Sequence, residues 1–254
     1  MDISGNKIVG IIPARIGSEE VYAKVLMDLG GKTVIQHVYE KATAAGVFEE
    51  VLIAADDQRI VEAAEKFGAK TYLTQTDHIC GTDRCAEAVR ALVPDADIVV
   101  NIQADEPFLN PEMISQVVEP LLTDGAWDMA TLCCPCIDEA SKEAEFTVKI
   151  VKSAAGRALY FSRSVIPYPR YDRGTAYYQH IGIYAYRTEQ LLRFAKLGPA
   201  ELELAEGLEQ LRAIEAEMRI KVIETDLSYA RISIDTQADI DNARRFLEEQ
   251  SSEE

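Results

Sequence analysis

Two acidic groups stand where a strand is expected to give way to a loop. "NIQADEP" (Asn101–Pro107) offers Asp105 and Glu106, and "ISIDTQAD" (Ile232–Asp239) offers Asp235. Carboxylates from sequence-distant strand ends, meeting over a nucleotide, are what Mg²⁺ needs to bridge a phosphate and a second substrate. The plainer role for Asp235 is to cap the last helix. Positive charge is available in "IIPARIGSEEVYAKVL" (Ile11–Leu26), where Arg15 and Lys24 accompany the backbone N–H groups around Gly17 and Ser18. That is a setting for a phosphate, or a pair of solvated surface cations. "CGTDR" (Cys80–Arg84) opens a helix and puts Thr82 and Arg84 toward a base or phosphate, unless Thr82 or Asp83 simply caps it. His180, in "YQHIGIYAY", reads most plainly as a core histidine.

These residues need a scaffold that gathers strand ends. "KIVGIIP" (Lys7–Pro13) is a β-branched run closed by Pro and reads as a buried strand. From Thr33, Val34, Ile35, Val38 and Ala42 share one helical face, with Thr33 as N-cap and Gly46 as stop. Then "EVLIAADD" reads as strand, "QRIVEAAEKFG" as helix, "AKTYLT" as strand, Thr82 to Leu92 as helix and "ADIVVNIQ" as strand. A further helix opens after Asn110-Pro111, where Pro suits the first turn. Strands alternating with helices imply a mostly parallel, doubly wound α/β sheet. Ligands of such sheets gather beyond the carboxyl ends of the strands.

After Trp127 the rhythm changes. "DMATLCCPC", "FTVKIVKS", "ALYFSRS" and "YYQHIGIYAYR" are strand-like with few helices between them, which predicts an antiparallel subregion over about 128–200. Leu204, Leu208, Leu211, Ile214 and Met218, spaced by 3 and 4, predict one helical segment. The strand "RIKVIET", the helix "TQADIDNARRFLEE" and a disordered tail "SSEE" complete the expectation. With no repeat or linker, residues 1–254 read as a single domain.

Composition narrows the function. A formal charge of −17 repels phosphodiester backbones, so nucleic acid is not an expected partner. No stretch approaches the roughly 20 apolar residues of a membrane helix, and "MDISGNK" lacks a secretory pattern, so a cytoplasmic protein is expected. Cys133, Cys134 and Cys136 crowd into "TLCCPC", but the three histidines are scattered singly, which favours a reduced buried strand over a zinc site.

The motifs "IIPARIGS", "AADDQRI", "GTDR", "NIQADEP", "ALYFSRSVIP", "HIGIYAYR", "LELAEGLEQLRAIE" and "IDTQADI" occur in an order that resembles the 3-deoxy-manno-octulosonate (Kdo) cytidylyltransferase family, over nearly the whole chain. "YFSRS", "HIGIYAYR" and "EGLEQLRAIE" are specific to it, whereas the "PAR" loop is shared with other sugar nucleotidyltransferases. The resemblance implies a Rossmann-like nucleotidyltransferase fold with a smaller antiparallel dimerisation extension. It also implies a homodimer and attack of the anomeric hydroxyl of Kdo on the α-phosphorus of CTP with Mg²⁺, activating an acid sugar for lipopolysaccharide synthesis. Asp105 and Asp235 match the metal ligands and, with Lys24, the catalytic set. Pro13, Ala14, Arg15, Lys24, Thr82 and Arg84 match the nucleotide side. Gln103, Arg163, His180, Tyr184 and Glu209 match the sugar pocket, and the planar fork of Arg163 suits the sugar carboxylate.

The chain departs from the pattern in the first loop. Where the family continues with Arg and then Leu-Pro-Gly-Lys, this sequence has Glu20-Val21-Tyr22-Ala23-Lys24, preceded by Glu19. At about 4 Å, like charges cost about 1 kcal/mol in water and about 4 kcal/mol near a protein surface. Ala104 also replaces a family Gly, and "EAEFTVKIV" lacks the usual Asn-Pro-Asn run. Besides an active Kdo enzyme, the acidic loop leaves open an amino-Kdo or other acid-sugar transferase, or a weakened paralogue that only binds.

Overall fold

The computed structural model describes residue 3 and residues 5–17, 22–136, 138–171, 174–227, 232–234 and 236–253, with side chains through residue 249. Glu19, Glu20 and Asp235, three residues on which the sequence reading turned, lie outside them. Residue contacts group the chain into one unit of residues 7–114 with 227–254 and another of residues 1–6 with 115–226.

In the first unit the chain runs through β1 (Ile8–Ala14), a one-turn 3-10 helix (Lys24–Leu26), β2 (Asp28–Leu29), β3 (Lys32–Thr33), α1 (Val34–Ala44), β4 (Glu50–Ala55), α2 (Gln58–Glu65), β5 (Lys70–Leu73), α3 (Gly81–Leu92) and β6 (Ile98–Asn101). Four strands lie parallel in the order β6-β1-β4-β5, so β1 is flanked on both edges. A parallel strand covered in this way must be apolar along its length, and Ile8, Val9, Ile11 and Ile12 are buried accordingly. Thr33 caps α1 as expected, its hydroxyl accepting from Gln36 N at 3.3 Å.

The ribbon β2–β3 was not expected. Its turn is Gly30-Gly31, both at positive φ (67° and 86°), the backbone that a two-residue hairpin demands and glycine supplies without strain. α4 (Pro111–Thr123) begins at Asn110-Pro111 as expected, with Asn110 Oδ1 accepting from Glu112 N at 3.0 Å, and carries the chain from one unit to the other.

The second unit contains β7 (Met129–Pro135), α5 (Glu139–Glu143), β8 (Lys149–Lys152), β9 (Ala158–Ser162), β10 (Tyr178–Arg187), α6 (Thr188–Phe194), α7 (Glu201–Glu206), α8 (Gln210–Glu215) and β11 (Ile220–Glu224). β10 pairs antiparallel with β7 and β8, and β9 pairs antiparallel with β8, which accords with the expected subregion. β11, beyond that subregion in sequence, joins β7 in parallel.

The single helix expected across Leu204–Met218 is corrected to α7 and α8. Gly207, at φ 63°, ends α7 in the left-handed conformation, and the apolar spacing simply continues past the break. Leu204 consequently faces solvent while Leu208, Leu211 and Met218 are buried. The chain then returns to the first unit with α9 (Gln237–Glu253), which extends through residues 251–253 of the tail expected to be disordered. Nothing in Glu248–Glu253 breaks a helix already propagating. Among the described residues no helix is long and apolar enough to cross a membrane.

Candidate active site

The first loop leaves β1 at Ala14, and its start is pinned by Asp56, just beyond β4. Asp56 Oδ1 accepts from Ile16 N at 2.8 Å, while Asp56 N donates to Ala14 O at 3.2 Å. Buried Arg84, on α3, stands 3.6 Å from the other carboxylate oxygen. It also donates to Thr74 Oγ1 and, at 3.1 Å, to Gln75 O, so its charge braces the end of β5 as well. Burial pulls the Arg84 pKa down while Asp56 opposes that shift.

Thr82, fully buried, accepts from Asn101 Nδ2 at 3.1 Å. The N-cap of α3 is Cys80, whose side chain makes no capping bond, so neither Thr82 nor Asp83 serves as the cap. A Cβ on Gly81 would stand 3.2 Å from Pro13 Cγ, so glycine lets α3 start this close to the end of β1 without pushing the proline ring aside. The "PAR" and "GTDR" motifs are thereby neighbours, with Arg15 exposed.

The loop closes at a neck where Ala23 N donates to Ile16 O at 2.8 Å. Lys24 follows at once, and its Nζ lies 2.7 Å from Asp105 Oδ2. Asp105, after β6, accepts Ile234 N on its main-chain oxygen at 2.9 Å, and Ile234 is anchored in a core with Leu29, Val34, Ile240 and Ala243. The segment leading into residue 235 is therefore bonded to Asp105, although the side chain of Asp235 is outside the described residues. The plainer role considered for Asp235, capping the last helix, likewise falls outside the described residues. Thr236 and Asp239 form the reciprocal cap of α9, with Asp239 N donating to Thr236 Oγ1 at 3.2 Å and Thr236 N to Asp239 Oδ2 at 2.7 Å. Gln103, half-buried, completes this turn through Glu106 N to Gln103 O at 3.4 Å.

Ala23, where the family has Gly, adopts φ 57° and ψ 30°. For a residue with a Cβ this costs about 1 kcal/mol. Ala23→Gly is therefore expected to raise stability by roughly 0.5 to 1 kcal/mol, after allowance for the freer unfolded chain. Chemical denaturation checks this, and a fall in stability would contradict it. Ala104 is not among the positive-φ residues, so that glycine's loss adds no such strain.

The remaining candidates lie in the second unit. Arg163 follows β9, with Nε 2.9 Å from Glu206 O and Nη1 3.3 Å from Glu145 O. Glu209 is half-buried at the start of α8. His180 and Tyr184 lie buried on β10 with ring centroids 5.4 Å apart, and Phe161 meets the imidazole edge-on at 5.1 Å.

Thr131 Oγ1 lies 2.8 Å from Ile183 O and 2.9 Å from His180 Nε2. With the hydroxyl's one proton on the carbonyl, Nε2 carries the hydrogen of the imidazole and Nδ1 is its acceptor. Burial lowers the His180 pKa to about 3. Between that value and the ordinary 6.5 the unfolded chain takes up a proton that the folded one refuses, so stability falls as pH drops through this window. Between pH 6.5 and 4.5 the loss is expected to be about 2 kcal/mol greater for the native protein than for His180→Gln. Urea melts at the two pH values measure it, and equal pH dependence would contradict the assignment.

Sequence reasoning missed Asp56, whose signal was the first of the two acids in "AADD", and Glu206, whose bonds to Ser162 and Arg163 no local pattern announces. Cys133 is a core side chain, its thiol raised to about 12 by burial. Among the described residues no group of three His, Cys, Asp or Glu side chains could hold a metal. A cation here would be held as Mg²⁺ usually is, by one or two carboxylates together with phosphates and water.

The profile of the family described as Cytidylyltransferase matches residues 9–220. A 3-deoxy-manno-octulosonate cytidylyltransferase of Bacteroides thetaiotaomicron is 45% identical, covering 96% of this chain and 100% of its own. One of Syntrophus aciditrophicus is also 45% identical, over 95% and 97%. A solved CMP:2-keto-3-deoxy-manno-octonic acid synthetase complexed with CTP superposes with a TM-score of 0.91 at 39% identity, covering 96% of this chain and all of that one.

Proposed function

The chain belongs to the 3-deoxy-manno-octulosonate cytidylyltransferase family, and from that premise we infer that it transfers CMP from CTP to the anomeric hydroxyl of 3-deoxy-manno-octulosonate, releasing pyrophosphate. The observation that carries this to particular residues is the meeting of three chain segments at Asp105: the loop through Lys24, the end of β6, and Ile234.

In the reaction the sugar oxygen forms a bond to the α-phosphorus as the bond to pyrophosphate breaks, and the hydroxyl proton is lost. No covalent enzyme intermediate is needed, so the protein's contribution is orientation and charge complementarity. Arg15 and Lys24 hold phosphate oxygens beside Pro13 and Ala14, while Thr82 and Arg84 support the nucleotide side. Gln103, Arg163, His180, Tyr184 and Glu209 bind the sugar, with Arg163 on its carboxylate and His180 Nδ1 accepting from a hydroxyl.

Mg²⁺ fits the donor set. Asp105 keeps Oδ1 without a partner among the described residues, its side chain is 25% exposed, and a cationic group already stands at its other oxygen. Asp105 and Asp235 would hold the ion, which when bound would neutralise charge on the triphosphate.

We further propose a cytoplasmic enzyme of lipopolysaccharide synthesis that works as a homodimer. Exposed Leu159 on β9, which pairs with one strand alone among the described residues, and exposed Phe146 support an interface in the second unit. The function is tested by pyrophosphate release, which should require CTP, Mg²⁺ and the acid sugar together. No release with Kdo, amino-Kdo or sialic acid would remove the reading.

A further inference from the structure

Arg163 is unusual in how little of its holding comes from charge. Nε and Nη1 go to the main-chain oxygens of Glu206 and Glu145, and among the described residues no carboxylate comes within ion-pair distance of the guanidinium. Its backbone is fixed with equal thoroughness. Arg163 N donates to Glu206 Oε2 at 2.9 Å, and Arg163 O accepts from Lys149 Nζ. Lys149 is fully buried and spends its other donors on Ala144 O at 2.9 Å and Thr147 O at 2.6 Å.

The remaining oxygen of the Glu206 carboxylate, Oε1, accepts from Ser162 Oγ at 2.6 Å, and Ser162 Oγ in turn accepts from Ser164 N at 3.0 Å. The Glu206 carboxylate is thus committed to a hydroxyl and an amide, leaving the guanidinium charge without a side-chain counterion at contact distance among the described residues. A carboxylate that ignores the guanidinium beside it is a poor stabiliser of a charge pair. It is a good way to hold an arginine in place while keeping its charge for an anion from outside.

We infer that Glu206 is a positioning residue that sets Arg163, with its charge uncompensated, for the carboxylate of the acid sugar, and that Lys149 fixes the same residue from its carbonyl side. The inference rests on the sugar-binding role proposed for Arg163. It makes acid-sugar selectivity a property of the contact between α7 and β9, because Glu206 ends α7 and Ser162 ends β9.

Steady-state kinetics with CTP and the acid sugar varied separately test it. Glu206→Gln keeps the size but can accept only one of the two bonds. It is expected to raise the KM for the acid sugar roughly ten-fold, with the KM for CTP within about two-fold, and Glu206→Asp is expected to recover part of the loss. A rise in both KM values together, or no rise in either, overturns the inference and leaves Glu206 a brace of the fold. If Glu206→Gln does not fold, Ser162→Ala removes one of the two bonds to the carboxylate and is expected to raise the acid-sugar KM about three-fold, with CTP again as the control. Arg163→Lys separates the premise from the inference. If that variant leaves the acid-sugar KM unchanged, the role of Arg163 itself is wrong. If it raises the KM and Glu206→Gln does not, only the positioning role is wrong.

Discussion

Asp105→Asn is expected to lower the rate of pyrophosphate release by on the order of 10³ while leaving the fold in place. The substitution keeps the shape of the side chain and one carbonyl oxygen but removes the charge. That charge faces Lys24 Nζ at 2.7 Å, so the ammonium loses an anionic partner at the point where it must be held ready for phosphate. The same change strips the site of a hard anionic ligand, which Mg²⁺ tolerates poorly because it binds few protein groups and depends on each.

Stability should change little. The bond that ties the strand end to residue 234 uses the main-chain oxygen of Asp105, which the variant retains. The side-chain pair is partly exposed, and such pairs contribute on the order of 1 kcal/mol or less. The check is a pyrophosphate assay over a range of Mg²⁺ concentrations beside a thermal melt. Turnover within about ten-fold of the native rate would show that Asp105 does not anchor the cation.

The largest expected loss of stability lies elsewhere, in Arg212→Met. Arg212 and Glu203 join α8 to α7 through two parallel bonds, Nε to Oε2 at 2.8 Å and Nη2 to Oε1 at 2.6 Å. Their side chains are only 2% and 8% exposed, and the guanidinium lies over Phe194 at 4.6 Å from the ring centroid. Glu203 Oε2 also accepts Ala200 N at 3.0 Å, so the carboxylate serves the start of α7 as well.

Removing the arginine leaves a buried carboxylate without its counterion, which costs about 3 to 5 kcal/mol. For a chain of this size that corresponds to a fall in melting temperature of roughly 10 °C. The double change Arg212→Met with Glu203→Leu is expected to recover more than half of the loss, since what is costly is the orphaned charge. Equal destabilisation by the single and double variants would show that packing of the arginine stem, not its charge, holds the two helices.

Much of the first unit could be read from local chemistry. Thr33 and Gly46 bound α1, Asn110-Pro111 opens α4, and the unbroken apolar run of β1 announces a strand covered on both edges. The break at Gly207 was hidden because apolar residues recur at helical spacing on both sides of it, and periodicity carries no information about a single left-handed residue. Asp235, considered for the cap of α9, lies outside the described residues, and Thr-x-x-Asp in "TQAD" forms the reciprocal bonds there.

For the site, the types of residue were legible and their company was not. Lys24 and Asp105 are 81 positions apart and Arg163 and Glu206 are 43 apart, so only the path of the chain through the sheet brings each pair together. Asp56 shows the same limit. Two adjacent acids followed β4, and sequence alone gave no reason to divide them into one that caps α2 and one that holds the amide of Ile16.

The bond between Ile16 and Ala23 has a consequence for how this sequence can drift. Arg15 and Lys24 are each the first residue outside that clasp, while Glu19 and Glu20 fall between its two ends. Spacing of the two cations is therefore set by the clasp and not by the letters it encloses, so substitutions or extra residues inserted there are tolerated at little entropic expense, about 0.6 kcal/mol for each doubling in length. A lineage can rewrite that hexapeptide, even to the point of reversing its charge, and still inherit the same spacing between its two basic side chains.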